Sequence, residues 1–307
     1  MSAYTGPIVD AHHHFWEPGL GRQPWLLKEA RIAFRYGNYD SIKRSFLPPD
    51  LLAAAQGFDI VGTVTMETEW DLDDPIGEMA YTQSIADEYG LPTAAVAHAI
   101  LKDPNVESVI ERLAERPLVR AVRNKPGQAA SPAEASAHPS LLTDAQWQKG
   151  FALLRRYGLD FELQVAWWHL SEAAALAARH PDTQITINHT GLPSDRSREG
   201  IEGWAKALSL VARHENVAIK ISGIGLPGVP WTAENNREIV LRTADIFGPE
   251  RIMFASNFPV DELTGSYQEI YGGFVEITSD WSAAEQTAAF IGNAVRYYRL
   301  PPSLLET

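Results

Sequence analysis

The chain has 307 residues, 45% hydrophobic and 21% charged, a balance that allows one large core or two smaller ones. A formal net charge of −13 and a pI near 5.1 argue against a nucleic-acid partner, because phosphate binding needs a basic face. Cysteine is absent, which removes disulfide and thiol chemistry. No apolar run reaches membrane-spanning length and residues 1–7 lack the features of a signal peptide, so a cytoplasmic location is expected.

The first apolar run, residues 8–14, ends in Val9-Asp10-Ala11-His12-His13-His14-Phe15-Trp16. On a strand, residues i and i+2 share a face, so His12 and His14 point one way and His13 the other. Two imidazoles at a strand end are half of a metal site, or a pair of donors for a polarised substrate oxygen. Residues 17–48, rich in Trp, Tyr and Arg, form a long first loop placed to cover that end. Further strand-like runs follow at 60–69, 93–101, 118–125, 160–166, 184–189, 217–222 and 251–256. Helical patterns occupy 49–57, 76–89, 106–116, 144–157, 169–179, 200–214 and 233–247, with Thr143 and Gly158 framing the fourth as expected caps. Residues 127–140, rich in Ala, Ser and Pro, are expected to be a mobile loop over the same face. Terminal helices begin at Tyr267, of which 282–299 is the best patterned.

Strand–helix alternation implies parallel strands with right-handed crossovers. Eight such units predict one (β/α)8 TIM barrel over residues 1–307; an open doubly wound sheet would want a Gly-rich turn after its first strand, and none is present. Active sites of such barrels sit at the carboxyl ends of the strands. Read in order, those ends carry His12 and His14; Glu67 and Glu69; His98; Arg120, Arg123 and Lys125; Glu162 and Gln164; His189; Lys220 and Ser222; and Asn257 with Asp261.

Charged groups within apolar strands are costly unless paired or used. Lys220 and Glu162 read equally as a buried ion pair, His98 as a satisfied core residue, and Trp167-Trp168 as packing. Arg120 and Arg123, three positions apart, face opposite sides of a regular strand, so one is expected to act and the other to support.

This set resembles the amidohydrolase superfamily, of amidohydrolase-2 type, and within it the sugar-lactonase and 2-pyrone-4,6-dicarboxylate-lactonase branch. The pieces that carry the resemblance are the Val9-to-Trp16 motif, Leu118-Val119-Arg120-Ala121-Val122-Arg123, Asn188-His189-Thr190-Gly191-Leu192-Pro193, Ile219-Lys220-Ile221-Ser222-Gly223 and Arg251-Ile252-Met253-Phe254-Ala255-Ser256-Asn257-Phe258-Pro259. They run in the family's order from end to end. The resemblance implies a (β/α)8 barrel that hydrolyses a lactone, with the His-x-His pair, the strand-six His and a strand-eight Asp at its reaction centre. The chain departs from the pattern at one position: that aspartate falls on Asn257. An amide cannot titrate and ligates metal less well than a carboxylate. Asp261 can substitute as the base only if the chain turns back at Pro259; Glu67, Glu69 and Glu162 are the other candidates.

The leading expectation is hydrolysis of a small, anionic lactone derived from a sugar acid or an aromatic-degradation intermediate. His12, His14 and His189 polarise the carbonyl, either directly or by holding one divalent metal, zinc by preference. Asn257 and Asp261 complete the catalytic set, and Arg120, Arg123, Glu67, Glu69 and Lys220 are expected at the substrate. Two alternatives stand beside it: a metal-dependent decarboxylase or hydratase of an aromatic or unsaturated acid, and a ligand-binding barrel without catalysis.

Overall fold

The computed structural model describes residues 4–306. Strands β1 (Ile8–His13), β2 (Ile60–Met66), β3 (Ala94–His98), β4 (Val119–Arg123), β5 (Asp160–Leu163), β6 (Ile185–Ile187), β7 (Val217–Ile221) and β8 (Ile252–Phe254) lie side by side in chain order, each parallel to the next. Between them run α1 (Pro48–Ala54), α2 (Pro75–Tyr89), α3 (Val106–Ala114), α4 (Ala145–Arg156), α5 (Leu170–Arg179), α6 (Arg198–Val211) and α7 (Ala233–Phe247). The architecture is the (β/α)8 barrel expected from the alternation.

The barrel closes between β1 and the segment after β8. Asn257 N donates to His12 O at 2.7 Å, and His14 N to Phe258 O at 2.8 Å. Asp10 seals the seam with its side chain: it accepts from Ser256 N at 2.9 Å, Ser256 Oγ at 2.6 Å and the Tyr267 hydroxyl at 3.1 Å. These bonds satisfy a fully buried carboxylate that would otherwise carry a large desolvation cost.

Two apolar layers follow from strand alternation. Val9, Ala11, Val64, Met66, Ala94, Val96, Ala121, Ala218, Met253 and Ala255 form one cluster with Ile291, Val295, Tyr298 and Leu300 from the C-terminal segment. The alternate strand residues, such as Ala95, Phe161, Ile187, Ile219 and Phe254, pack against the surrounding helices. The C-terminal segment consists of α8 (Tyr267–Ile277), α9 (Ala283–Thr287), a π-helical turn at Ala288–Gly292 and α10 (Asn293–Tyr297), so the single helix expected over 282–299 is broken by that wider turn.

Several strands end earlier than their apolar runs. β2 stops at Met66 and β3 at His98, because the residues beyond leave the ladder to build the rim. The N-cap of α4 is Asp144, not Thr143; its carboxylate accepts from Gln146 N and Trp147 N, both at 2.9 Å. Gly158 does follow that helix, in a left-handed conformation (φ +71°). Among the described residues no helix is long and apolar enough to cross a membrane.

Candidate active site

A cavity of about 270 Å³ opens at the carboxyl ends of the strands. Its wall includes His14, Glu67, Glu69, Arg123, Lys125, Gln164, His189 and Asn257 from the barrel, and Trp25 and residues 32–35 from the first loop. That loop is anchored over the barrel: Trp25 Nε1 donates to Thr68 O at 2.8 Å, and the Tyr36 hydroxyl to Asp261 Oδ1 at 3.0 Å. The other expected cover, residues 127–140, takes no part in the cavity wall. It is tied instead to the start of α5, where Ala129 N donates to His169 Nε2 at 2.9 Å and Ser140 Oγ to Glu172 at 2.5 Å.

The three imidazoles come together. Ring centroids of His12 lie 5.3 Å from His14 and 4.5 Å from His189, while His13 turns away onto Phe15 at 4.2 Å. One extra residue in β1 between Asp10 and His13, a bulge against β2, accommodates the arrangement. His14 Nδ1 lies 3.3 Å from Met66 O. A carbonyl only accepts, so Nδ1 carries the proton and Nε2 is a bare lone pair. Burial pushes the His14 imidazole down to about 3, and burial lowers His12 and His189 as well, so all three are neutral near pH 7. His189 Nδ1 meets Ser222 Oγ at 2.9 Å.

Asn257, in a left-handed conformation at φ +55°, donates through Nδ2 to Asp261 Oδ1 at 2.6 Å. The chain turns back through Pro259 into a 3-10 turn at Val260–Leu263, which is the return that Asp261 requires. Asp261 is fully buried, and burial raises its carboxyl above the ordinary range. Its Oδ2 is the one buried carboxylate oxygen without a hydrogen-bond partner among the described residues.

Arg123 and Glu67 form a sealed pair. Arg123 Nε donates to Glu67 Oε1 at 2.6 Å, Nη2 to Glu67 O at 2.8 Å and Nη1 to Gln164 Oε1 at 3.1 Å. Burial alone would raise the Glu67 carboxyl; the guanidinium overrides it and holds the group well below the usual carboxylate range. Glu69 pairs with Lys125 at the rim. Behind this edge Glu78 accepts from Thr68 N and Oγ1 at 2.7 and 2.8 Å. Burial first, and then the charge of Glu67, push its carboxyl up to about 8.

Two residues expected at the substrate are placed elsewhere. Arg120 donates to Tyr298 O and Pro117 O at 3.0 and 2.5 Å, at the amino end of β4, so it braces the C-terminal segment. Lys220 is fully buried and pairs with Glu162 at 3.0 Å inside the barrel, where Asn188 and Tyr298 also donate to Glu162. Glu162 is thereby committed and cannot serve as a base. His98 is buried as expected, but its Nε2 lacks a partner among the described residues.

Arg35, on the first loop, was outside the expected set. Its Nη2 donates to Gly223 O at 2.9 Å and to the Tyr36 hydroxyl at 2.5 Å, and lies 3.4 Å from Asp261 Oδ1. Aperiodic loops carry no pattern that would single out one of the five arginines and lysines between 22 and 43; only the Arg-rich character of the segment pointed there.

As a metal centre the imidazole trio has features for and against it. Neutral imidazoles are competent donors, and both nitrogens of His12 are buried without partners among the described residues. Against this, the set contains no anion. Arg35 adds positive charge beside His189, which opposes a dication, whereas Arg123 and Lys220 are balanced by Glu67 and Glu162. The carboxylate nearest in sequence to the replaced ligand, Asp261, spends Oδ1 on Asn257 and Tyr36. Among the described residues no group of three or more His, Cys, Asp or Glu side chains is arranged to hold a metal ion. By itself the imidazole trio lacks the anionic ligand that would help it retain a hard divalent metal.

Known proteins resemble this chain over nearly its whole length. A protein of Sinorhizobium fredii whose function is uncharacterized is 35% identical over 95% of this chain and 98% of its own length. An L-fucono-1,5-lactonase of Burkholderia multivorans is 27% identical over 95% of this chain and 96% of its own. A crystal structure of an amidohydrolase from Burkholderia multivorans with bound zinc shares the fold at a TM-score of 0.78 and 24% identity, covering 96% of this chain and 100% of that one. The Amidohydrolase family model matches residues 9–300, nearly the whole chain. With its eight-stranded barrel and its histidine cluster at the strand ends, the chain belongs to the amidohydrolase family.

Proposed function

We propose that this protein hydrolyses a small lactone, using water activated by Asp261. The observation that carries the reading is the unpartnered, buried Oδ2 of Asp261 beside the cavity residue Asn257. A carboxylate in a dry site is a stronger base than one in water, and this one has an open acceptor position. The similarity to L-fucono-1,5-lactonases supports a cyclic ester as the substrate class.

In this scheme Asn257 holds the carboxylate through Nδ2, which leaves its Oδ1 as the acceptor presented to the cavity. The scheme assigns Ser222 Oγ as the donor across its 2.9 Å contact with His189 Nδ1, which puts the His189 proton on Nε2 for donation to the lactone carbonyl oxygen. The bare Nε2 of His14 accepts a hydrogen bond from the water or from a substrate hydroxyl. Water attacks the polarised carbon, Asp261 takes its proton, and the ring C–O bond then breaks with that proton passing to the ring oxygen. No step requires a metal.

The test is a panel of sugar 1,4- and 1,5-lactones and pyrone lactones, followed by proton release without added metal. Turnover of one member that Asp261→Asn abolishes would support the scheme; an Asp261→Asn protein as fast as wild type would sink it.

A further inference from the structure

We propose that Arg35 is a catalytic residue, stabilising the negative charge that develops on the lactone carbonyl oxygen. The proposal rests on the hydrolytic reading above and adds to it the source of positive charge at the reacting carbon.

The geometry begins with Gly223. Its φ is +57°, and a Cβ there would lie 2.5 Å from His189 Nδ1 and 2.6 Å from Arg35 Nη2. The side chains of His189 and Arg35 therefore meet over one backbone position, and glycine is what lets them. Nη2 alone anchors the guanidinium, through Gly223 O, Tyr36 and Asp261. Among the described residues Nε and Nη1 have no hydrogen-bond partner, although Arg35 lines the cavity. Arg123 is the opposite case: all three of its nitrogens are committed to Glu67 and Gln164, so it is a strut. Arg35 is thus the cavity guanidinium with donors to spare, next to the histidine that faces the carbonyl.

The step balances without any other reagent. The water oxygen bonds to the carbonyl carbon as its proton passes to Asp261, and the C=O π pair moves onto oxygen. The Arg35 N–H donors and His189 hold that oxyanion. When it collapses, C=O re-forms and the ring C–O bond breaks. The ring oxygen leaves with its electron pair and takes the proton back from Asp261. The product is a hydroxy acid, which ionises, so the guanidinium also faces the new carboxylate. Fixed donors aimed at developing charge in a water-poor site are worth far more than in solution.

The experiment uses the lactone that the wild-type protein opens fastest. Arg35→Gln is expected to lower kcat by about 10²–10³, the loss typical of one oxyanion donor, with KM little changed. Guanidinium added to Arg35→Ala should restore part of the rate, which a merely loosened loop would not allow. A cyclic phosphonate analogue, mimicking the tetrahedral oxyanion, should bind Arg35→Gln more weakly by a factor like the loss in kcat, while a neutral lactam binds both equally. An unchanged kcat, or a rise in KM alone, would overturn the proposal and leave the lactonase reading standing. If wild type opens no lactone in the panel, both fall together.

Discussion

Asn257 hands its amide hydrogen to Asp261, with Nδ2 2.6 Å from Oδ1. That bond fixes the amide and, in the proposed mechanism, holds a carboxylate from four residues downstream beside the strand end. Asp261→Asn keeps size and shape but removes the proton acceptor. Its kcat on the best lactone is expected to fall by about 10²–10⁴, the usual contribution of a general base. Glu69→Gln, at the rim, should retain most of the rate; steady-state kinetics of the two proteins side by side check the assignment.

Metal removal should matter little. The imidazole trio contains no anion, and Arg35 adds positive charge beside His189. Protein purified without added metal should therefore contain substoichiometric zinc by elemental analysis, and a chelator should leave turnover unchanged. Lost turnover that zinc alone restores would return His12, His14 and His189 to ligand duty.

Glu78 makes stability depend on pH in a defined direction. Its folded-state carboxyl lies at about 8, above its unfolded value near 4.5. The folded protein thus holds a proton that the unfolded chain releases, and this contribution is fully present below about 4.5 and is lost as pH rises through about 8. Glu78→Gln keeps the acceptor for Thr68 without the titration. Urea denaturation at several pH values should show a shallower decline for the variant across this window; parallel curves would refute the point.

Arg120 and Arg123 should separate cleanly. Arg123→Met leaves the Glu67 carboxylate buried and unpaired, an expected loss of about 3–5 kcal/mol together with activity. Arg120→Met removes the bonds to Tyr298 O, Pro117 O and Val119 O, all away from the cavity, so kcat/KM should stay near wild type while the melting temperature drops. Calorimetry and kinetics on both variants distinguish the strut at the cavity from the brace at the far end.

How far the sequence announced this arrangement differs by element. The barrel was legible because strand and helix periods differ and eight of each alternate. His12 and His14 were legible because a strand has a period of two, and the bulge in β1 did not disturb their shared face. Arg120 misled for the complementary reason: period-two logic assigns faces, but not which end of a short strand a long side chain reaches toward. Lys220 was ambiguous because a buried cation is equally at home in catalysis or beside a buried carboxylate, and only the Glu162 contact decides. Arg35 could not be read, since its place is set by tertiary anchors such as Tyr36 on Asp261 rather than by any local pattern.

The Asp10–Ser256 seam has a consequence for how the protein is made. The two residues are 246 positions apart, and Tyr267, which completes the seal, emerges later still. On the ribosome the histidines of the first strand leave the exit tunnel early and wait for most of the chain before their neighbours arrive. A chain released before Tyr267 would present the imidazoles of β1 along an open edge, and an uncovered edge strand is a template for association with another chain. Emergence of residues 256–267 is therefore itself a step in forming the site.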